Sequence, residues 1–193
     1  MGRFAVICGL TIFMLLLAPP IYAAPVDFSA TLTGAAEIPS TGSPGTGSAL
    51  VTFDVVAHTL NVHATFSGLT GNTTASHIHC CALQPLTVGV ATTVPTFPGF
   101  PLGVTSGTYD HTFDTSLLTT YNPAFVGGGT AASAEAALFA GMVAGQSYLN
   151  IHTSLFGGGE IRGILVTPEP ATLLLLGAGL AGLSRRLWRK GRR

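Results

Sequence analysis

Residues 47–69 read GSALVTFDVVAHTLNVHATFSGL. Val51, Phe53 and Val55 alternate with polar residues, and beyond a short turn near Ala57-His58 so do Leu60, Val62, Ala64 and Phe66. A period of two puts every second side chain on one face, so the stretch predicts an antiparallel hairpin with one dry side. Outward from it, Gly and Pro are scattered through residues 34–129, and no long run of helical period precedes residue 130. That pattern favours strands joined by turns. Further strands are expected at 26–33, 74–80, 106–113, 146–153 and 160–166, which makes about seven in all, the number of a β-sandwich. PLTVGVATTVPTFPGFPLG at 85–103 carries too much proline for a central strand and reads as a long loop. The one short helix expected is SAEAALFAGM at 133–142, with Ser133 as its N-cap. No repeat at solenoid spacing occurs. The fold class is therefore all-β, a single β-sandwich with one short helix.

The chain has 193 residues, 47% of them apolar, enough for one cored domain with attachments. Its net charge of zero averages unequal parts. Arg3 stands at the start, and Arg185, Arg186, Arg189, Lys190, Arg192 and Arg193 stand at the end. Between them Arg162 faces seven acids: Asp27, Glu37, Asp54, Asp110, Asp114, Glu135 and Glu160. A body so poor in cations excludes nucleic acid as a partner, because phosphate binding needs clustered Lys and Arg.

Arg3, the apolar run FAVICGLTIFMLLLA and the small residues of PPIYAAP predict a signal peptide over 1–24, cut near Ala23 or Ala24. Cys8 leaves with it, so the exported chain keeps Cys80 and Cys81. Adjacent Cα atoms lie about 3.8 Å apart across a trans peptide, short of the usual ~4.4–6.8 Å of a disulfide. A bond between the two would therefore be strained, the state of the pair is left open, and a stapled scaffold is excluded. At the far end come Pro168-Glu169-Pro170, an apolar stretch from Ala171 to Leu183 and a basic cluster. A membrane segment over 171–188 is expected, and its trailing cations keep that end in the cytoplasm. The body then lies on the other side, consistent with the leader.

Candidate chemistry centres on SHIHCC, residues 76–81. On a strand His77 and His79 share a face, about 6.6 Å apart along it, close enough for two imidazoles to meet an ion bound at ~2 Å. In YLNIHTS, Leu149 and Ile151 face the core, which leaves Tyr148, Asn150 and His152 on the other side. Were the two strands neighbours with matched faces, His77, His79 and His152 could cap one copper or zinc ion. Cys81 has the parity of the pair and would add a thiolate if the strand ran on. The same histidines equally suit a purely structural role, each bonded to a carbonyl or carboxylate across the sheet. His58, His63 and His111 read as solvated surface. Glu37, Glu160 and Arg162 are assigned to a structural ion pair, with a Glu37–Arg162 clamp tying the first strand region to the last. A catalytic carboxylate pair fits less well, since the cation would keep both acids ionised. There is no Gly-x-Ser-x-Gly, no phosphate-cradling loop and no HExxH. No catalytic residue is assigned, and the balance leans away from an enzyme.

The C-terminal triplet, apolar run and Arg cluster together resemble the PEP-CTERM sorting signal of Gram-negative bacteria, over residues 167–193. The resemblance implies a partner enzyme, an exosortase, that cuts the tail and passes the protein from a transient place in the inner membrane to the cell surface or extracellular matrix. Across 26–166, FSATLTGAAEIP, GSALVTF, SGLTG, ASHIH, YLNIHT and GGGEIRGIL occur in the order that resembles the CHRD domain. That family implies a compact β-sandwich in exported or surface proteins, with no settled biochemical activity. The first reading is a binding or structural module, with extracellular polysaccharide or surface proteins as its candidate partners. SGLTGNTTASHIH and LNIHT are also similar to the strands of copper-zinc superoxide dismutases that carry copper ligands. This second resemblance implies an Ig-like or superoxide-dismutase-like sandwich. It also gives an alternative function, a mononuclear copper or zinc protein using His77, His79 and His152, with superoxide-dismutase-like redox activity.

Overall fold

A computed structural model describes residues 25–83 and 85–168. The leader 1–24, Glu169 and Pro170 of the sorting triplet, and the membrane segment 171–188 lie outside the described residues. Among the described residues no helix is long and apolar enough to cross a membrane.

Among the described residues seven strands form: β1 Val26–Thr33, β2 Thr46–Asp54, β3 Thr59–Ser67, β4 Thr73–His79, β5 Gly107–Asp114, β6 Tyr148–Thr153 and β7 Ile161–Ile164. Two α-helices, α1 Pro123–Val126 and α2 Ala131–Val143, stand between β5 and β6. The β2–β3 hairpin has the expected register, with Val51 opposite Val62 and Phe53 opposite Leu60. All four of these side chains are buried, while their neighbours Thr52 and Asn61 face outward.

The all-β expectation is met, but in place of two packed sheets the strands join in one curled antiparallel sheet in the order β4-β6-β7-β1-β2-β3-β5. The joint is short. β7 meets β1 in strand register only at Thr33–Arg162, with a further bridge at Ser29–Val166. Curling across that joint lets Phe28, Leu32, Phe53 and Leu60 from one part of the sheet share a core with Ile78, Leu149, Ile151 and Ile161 from the other.

Loop 85–103 has no long strand, as its prolines demand, yet it is largely structural. The Ser76 N–H donates to Thr96 Oγ1 (3.0 Å), the Ile78 N–H to Thr92 Oγ1 (3.0 Å), and the Ala91 N–H to the Ile78 carbonyl (2.9 Å). These bonds cover the open edge of β4, where unpaired backbone groups invite association. The loop then crosses to the other sheet edge, where Phe97 stacks on Tyr109 of β5 at 5.5 Å.

Helix α2 begins three residues before expectation and takes its cap from another residue. Thr130 is the N-cap, and Ser133, the expected cap, closes the reciprocal box from the third helical position. The helix seals the core with Leu138 and Met142, and Phe139 packs edge-on against Phe53 at 5.3 Å.

The state of the two cysteines, left open by the sequence, is that of a bonded pair: Cys80 and Cys81 are joined across a cis peptide, with Cα atoms 3.1 Å apart. The spacing that argued for strain was that of a trans link. The bonded pair lies against α2 so closely that a side chain at Gly141 would collide with both sulfurs.

Candidate functional site

The sheet segment β4-β6-β7 is covered on both faces, one by the apolar core and the other by a buried polar layer. Ile78, Leu149, Ile151 and Ile161 point into the core. His77, His79, Tyr148, Asn150 and Arg162 are buried on the opposite face, with His152 half-buried at its rim. Strands β4 and β6 are antiparallel neighbours, pairing His77 with Asn150 and His79 with Tyr148. His152 sits two residues diagonally from His77, within reach of its ring.

The imidazoles thus converge. One ligand atom from each of His77, His79 and His152 lies within 4.8 Å of the other two. Each ring also makes one bond to a backbone carbonyl. His77 Nε2–H donates to Pro95 (2.7 Å), His79 Nδ1–H to Val88 (2.7 Å), and His152 Nδ1–H to Gly157 (2.9 Å). A carbonyl can only accept, so each of these nitrogens carries the proton and the ring's other nitrogen is a lone pair. The free nitrogens are His77 Nδ1, His79 Nε2 and His152 Nε2. His77 Nδ1 and His152 Nε2 face each other at 3.3 Å.

Burial holds all three histidines below the ordinary range, His77 down to about 4, so the neutral forms dominate at neutral pH. A ring stack extends inward. His79 lies flat on Tyr148 at 4.7 Å, and the Arg162 guanidinium carbon lies over the Tyr148 ring, 4.6 Å from its centroid.

Arg162 and Glu37 stand 3.8 Å apart and both are buried, so the first strand region and the last do meet there. Burial raises the Glu37 carboxyl to about 7, although Arg162 pulls the other way. Glu160 does not join this ion pair. Its carboxylate accepts from the Ser43 hydroxyl (2.6 Å), the Thr153 hydroxyl (2.7 Å) and the N–H groups of Thr70 and Gly71, which pin two loops to β6. Cys81 is also absent from the polar layer. Strand β4 ends at His79, so the alternation that gave Cys81 its parity stops there, and its sulfur meets the Ala137 carbonyl of α2 at 3.6 Å.

Of the remaining histidines, His58 keeps half of its side chain in solvent but holds the buried Glu135 at 2.9 Å, and His63 pairs with Asp110 at 3.0 Å. Glu135 also accepts from the Thr115 hydroxyl (2.6 Å), which fastens α2 to the sheet. The groups that sequence reasoning passed over are the carbonyls of Val88, Pro95 and Gly157. A carbonyl leaves no mark in residue identity, and the only hint was the length of loop 85–103 beside SHIH. Pro168 of the sorting triplet is exposed.

The CHRD domain family matches residues 28–165, and the PEP-CTERM protein-sorting motif matches residues 166–190. No curated protein and no solved structure matches the chain.

Proposed function

The chain belongs to the CHRD domain family, and from that membership we propose an exported, exosortase-sorted protein whose domain serves at the cell surface or in the extracellular matrix as a binding or structural module. The observation that carries this reading is the abutment of two matches, the domain ending at 165 and the sorting motif beginning at 166. The described core closes at the same place. Leu165 is buried, Val166 exchanges backbone bonds with Ser29 at 2.8 and 3.1 Å, and Thr167 and Pro168 are exposed. A cut beyond Pro168 removes no described core residue.

The kind of partner follows from surface charge. Among the described residues Arg162 is the single Lys or Arg, and it is buried. An acidic polysaccharide finds no cation to grip, so the reading favours neutral polysaccharide or protein surfaces. The sorting step is tested by Glu169→Ala in a Gram-negative host that carries an exosortase, with membrane and surface fractions immunoblotted. Uncut protein retained in the membrane is the expected result, and release equal to that of the parent chain overturns the proposal.

A further inference from the structure

We propose that His77 Nδ1, His79 Nε2 and His152 Nε2 are the ligands of one first-row transition ion, with copper(II) held more tightly than zinc. The structural reading of these residues, imidazoles bonded to carbonyls, explains one nitrogen of each ring through Pro95, Val88 and Gly157. It leaves the other three unexplained. With the tautomers set by those carbonyls, His77 Nδ1 and His152 Nε2 face each other at 3.3 Å as two acceptors, an arrangement that repels unless a cation lies between them. Two nitrogens bound tetrahedrally at ~2.0–2.1 Å are themselves about 3.3–3.4 Å apart. The pair already has the spacing of two ligands on one metal.

The third nitrogen is nearby and without a partner. His79 Nε2 is a buried polar atom with no hydrogen bond, and the whole set falls within 4.8 Å. A movement of at most about 1.4 Å, within the play of one rotamer well, completes it. Glu37 Oε1, Asn150 Oδ1 and Arg162 Nη1 are likewise buried and unpaired in this polar layer, where Ser147 Oγ is the one other such atom among the described residues. Buried polar groups are normally satisfied, so their concentration here marks a layer organised around an additional charge.

Histidines that ligate a metal ordinarily donate their other ring N–H to a carbonyl or carboxylate, which fixes the tautomer and the ring orientation as here. Three neutral nitrogens with no carboxylate among them exclude magnesium and calcium, which take oxygen, and suit copper and zinc. Between those two, the general order of divalent affinities places copper first.

The test uses the full chain in detergent, purified through a tag free of histidine and stripped with a chelator. It is then given copper(II) chloride or zinc chloride alone, desalted and assayed for metal. About one ion per chain is expected for each metal, with copper displacing zinc. His79→Ala and His152→Gln are expected to weaken binding roughly 100-fold, while the surface double variant His63→Ala/His111→Ala binds as before. Far-UV circular dichroism checks folding. If the variants do not fold, the electron paramagnetic resonance spectrum of the copper-loaded parent decides, since it should show coupling to several imidazole nitrogens. A folded parent without stoichiometric metal, a copper spectrum without nitrogen coupling, or folded His79→Ala and His152→Gln variants that bind as well as the parent refute the site. Zinc displacing copper refutes the preference. None of these outcomes bears on the sorting proposal, which rests on other residues.

Discussion

Replacing Glu160 by alanine is expected to destabilise the domain more than any change on its surface. The side chain is fully buried, and its two oxygens take two hydrogen bonds each. Oε1 accepts from Ser43 Oγ and the Thr70 N–H, and Oε2 from Thr153 Oγ1 and the Gly71 N–H. In the alanine variant the two hydroxyls can rotate toward other acceptors, but the two backbone N–H groups are fixed. Each orphaned N–H costs about 1–3 kcal/mol, and with the lost charged bonds the total comes to about 3–5 kcal/mol. Against a typical stability of ~5–15 kcal/mol this is a large share. In urea, with a slope near 2 kcal/mol/M, the midpoint should fall by about 2 M, read by circular dichroism on the full chain in mild detergent. Glu160→Gln should fall between parent and alanine, because its amide nitrogen must confront two donors. The pH dependence adds a check. Burial alone would raise this carboxyl, but its four hydrogen bonds outweigh burial and lower it. Its contribution is therefore present above the unfolded pKa of about 4.3 and is lost as pH falls through the folded value. An alanine variant within about 1 kcal/mol of the parent, or a glutamine variant equal to it, refutes the reasoning.

Two further outcomes follow from the polar layer and the helix contact. In chelated protein, His77, with a folded value of about 4 against an ordinary 6.5, stabilises above pH 6.5 and loses that contribution as pH falls toward 4. Glu37, raised from 4.5 to about 7, works in the opposite sense, stabilising below 4.5 and losing its contribution as pH rises through 7. Glu37→Gln removes the opposing group, so stability should climb more steeply between these limits, by up to about 1.4 kcal/mol per pH unit in urea midpoints taken across the range. An unchanged slope would show that Glu37 does not titrate there. Gly141→Ala places a methyl against the bonded sulfurs of Cys80 and Cys81 and should destabilise by about 1–3 kcal/mol in a thermal melt, despite alanine's better helix propensity.

The hairpin at 47–69 could be read from sequence because its inner face is dry and its outer face wet, so alternation survives in residue identity. The strand that carries His77 and His79 was legible although both its faces are covered, because the buried layer on its second face is built of polar side chains and alternation persists in residue identity. What stayed hidden depended on contacts between distant segments. The union of the strands into one sheet rests on the brief β1–β7 meeting at Thr33 and Arg162, which no local pattern marks. Parity predicted that the faces of His77, His79 and His152 could match, and β4 and β6 are indeed paired, but ring tautomers depend on the path of loop 85–103 and its carbonyls. Cys81 failed as a ligand candidate because parity was extended past the end of a strand. Glu160 was grouped with Glu37 and Arg162, whereas its partners are Ser43, Thr70, Gly71 and Thr153.

The seclusion of Arg162 also changes how the domain meets proteases. Enzymes of the trypsin type cut after Lys or Arg, and from Pro25 to Pro168 this residue is the one place they could act. It lies within β7, locked between Glu37, Tyr148 and the Ala36 carbonyl. Loops may breathe freely without offering a cleavage point, so scission there reports the opening of β7 itself. For a protein displayed outside the cell, one sheltered arginine turns global stability into resistance to digestion.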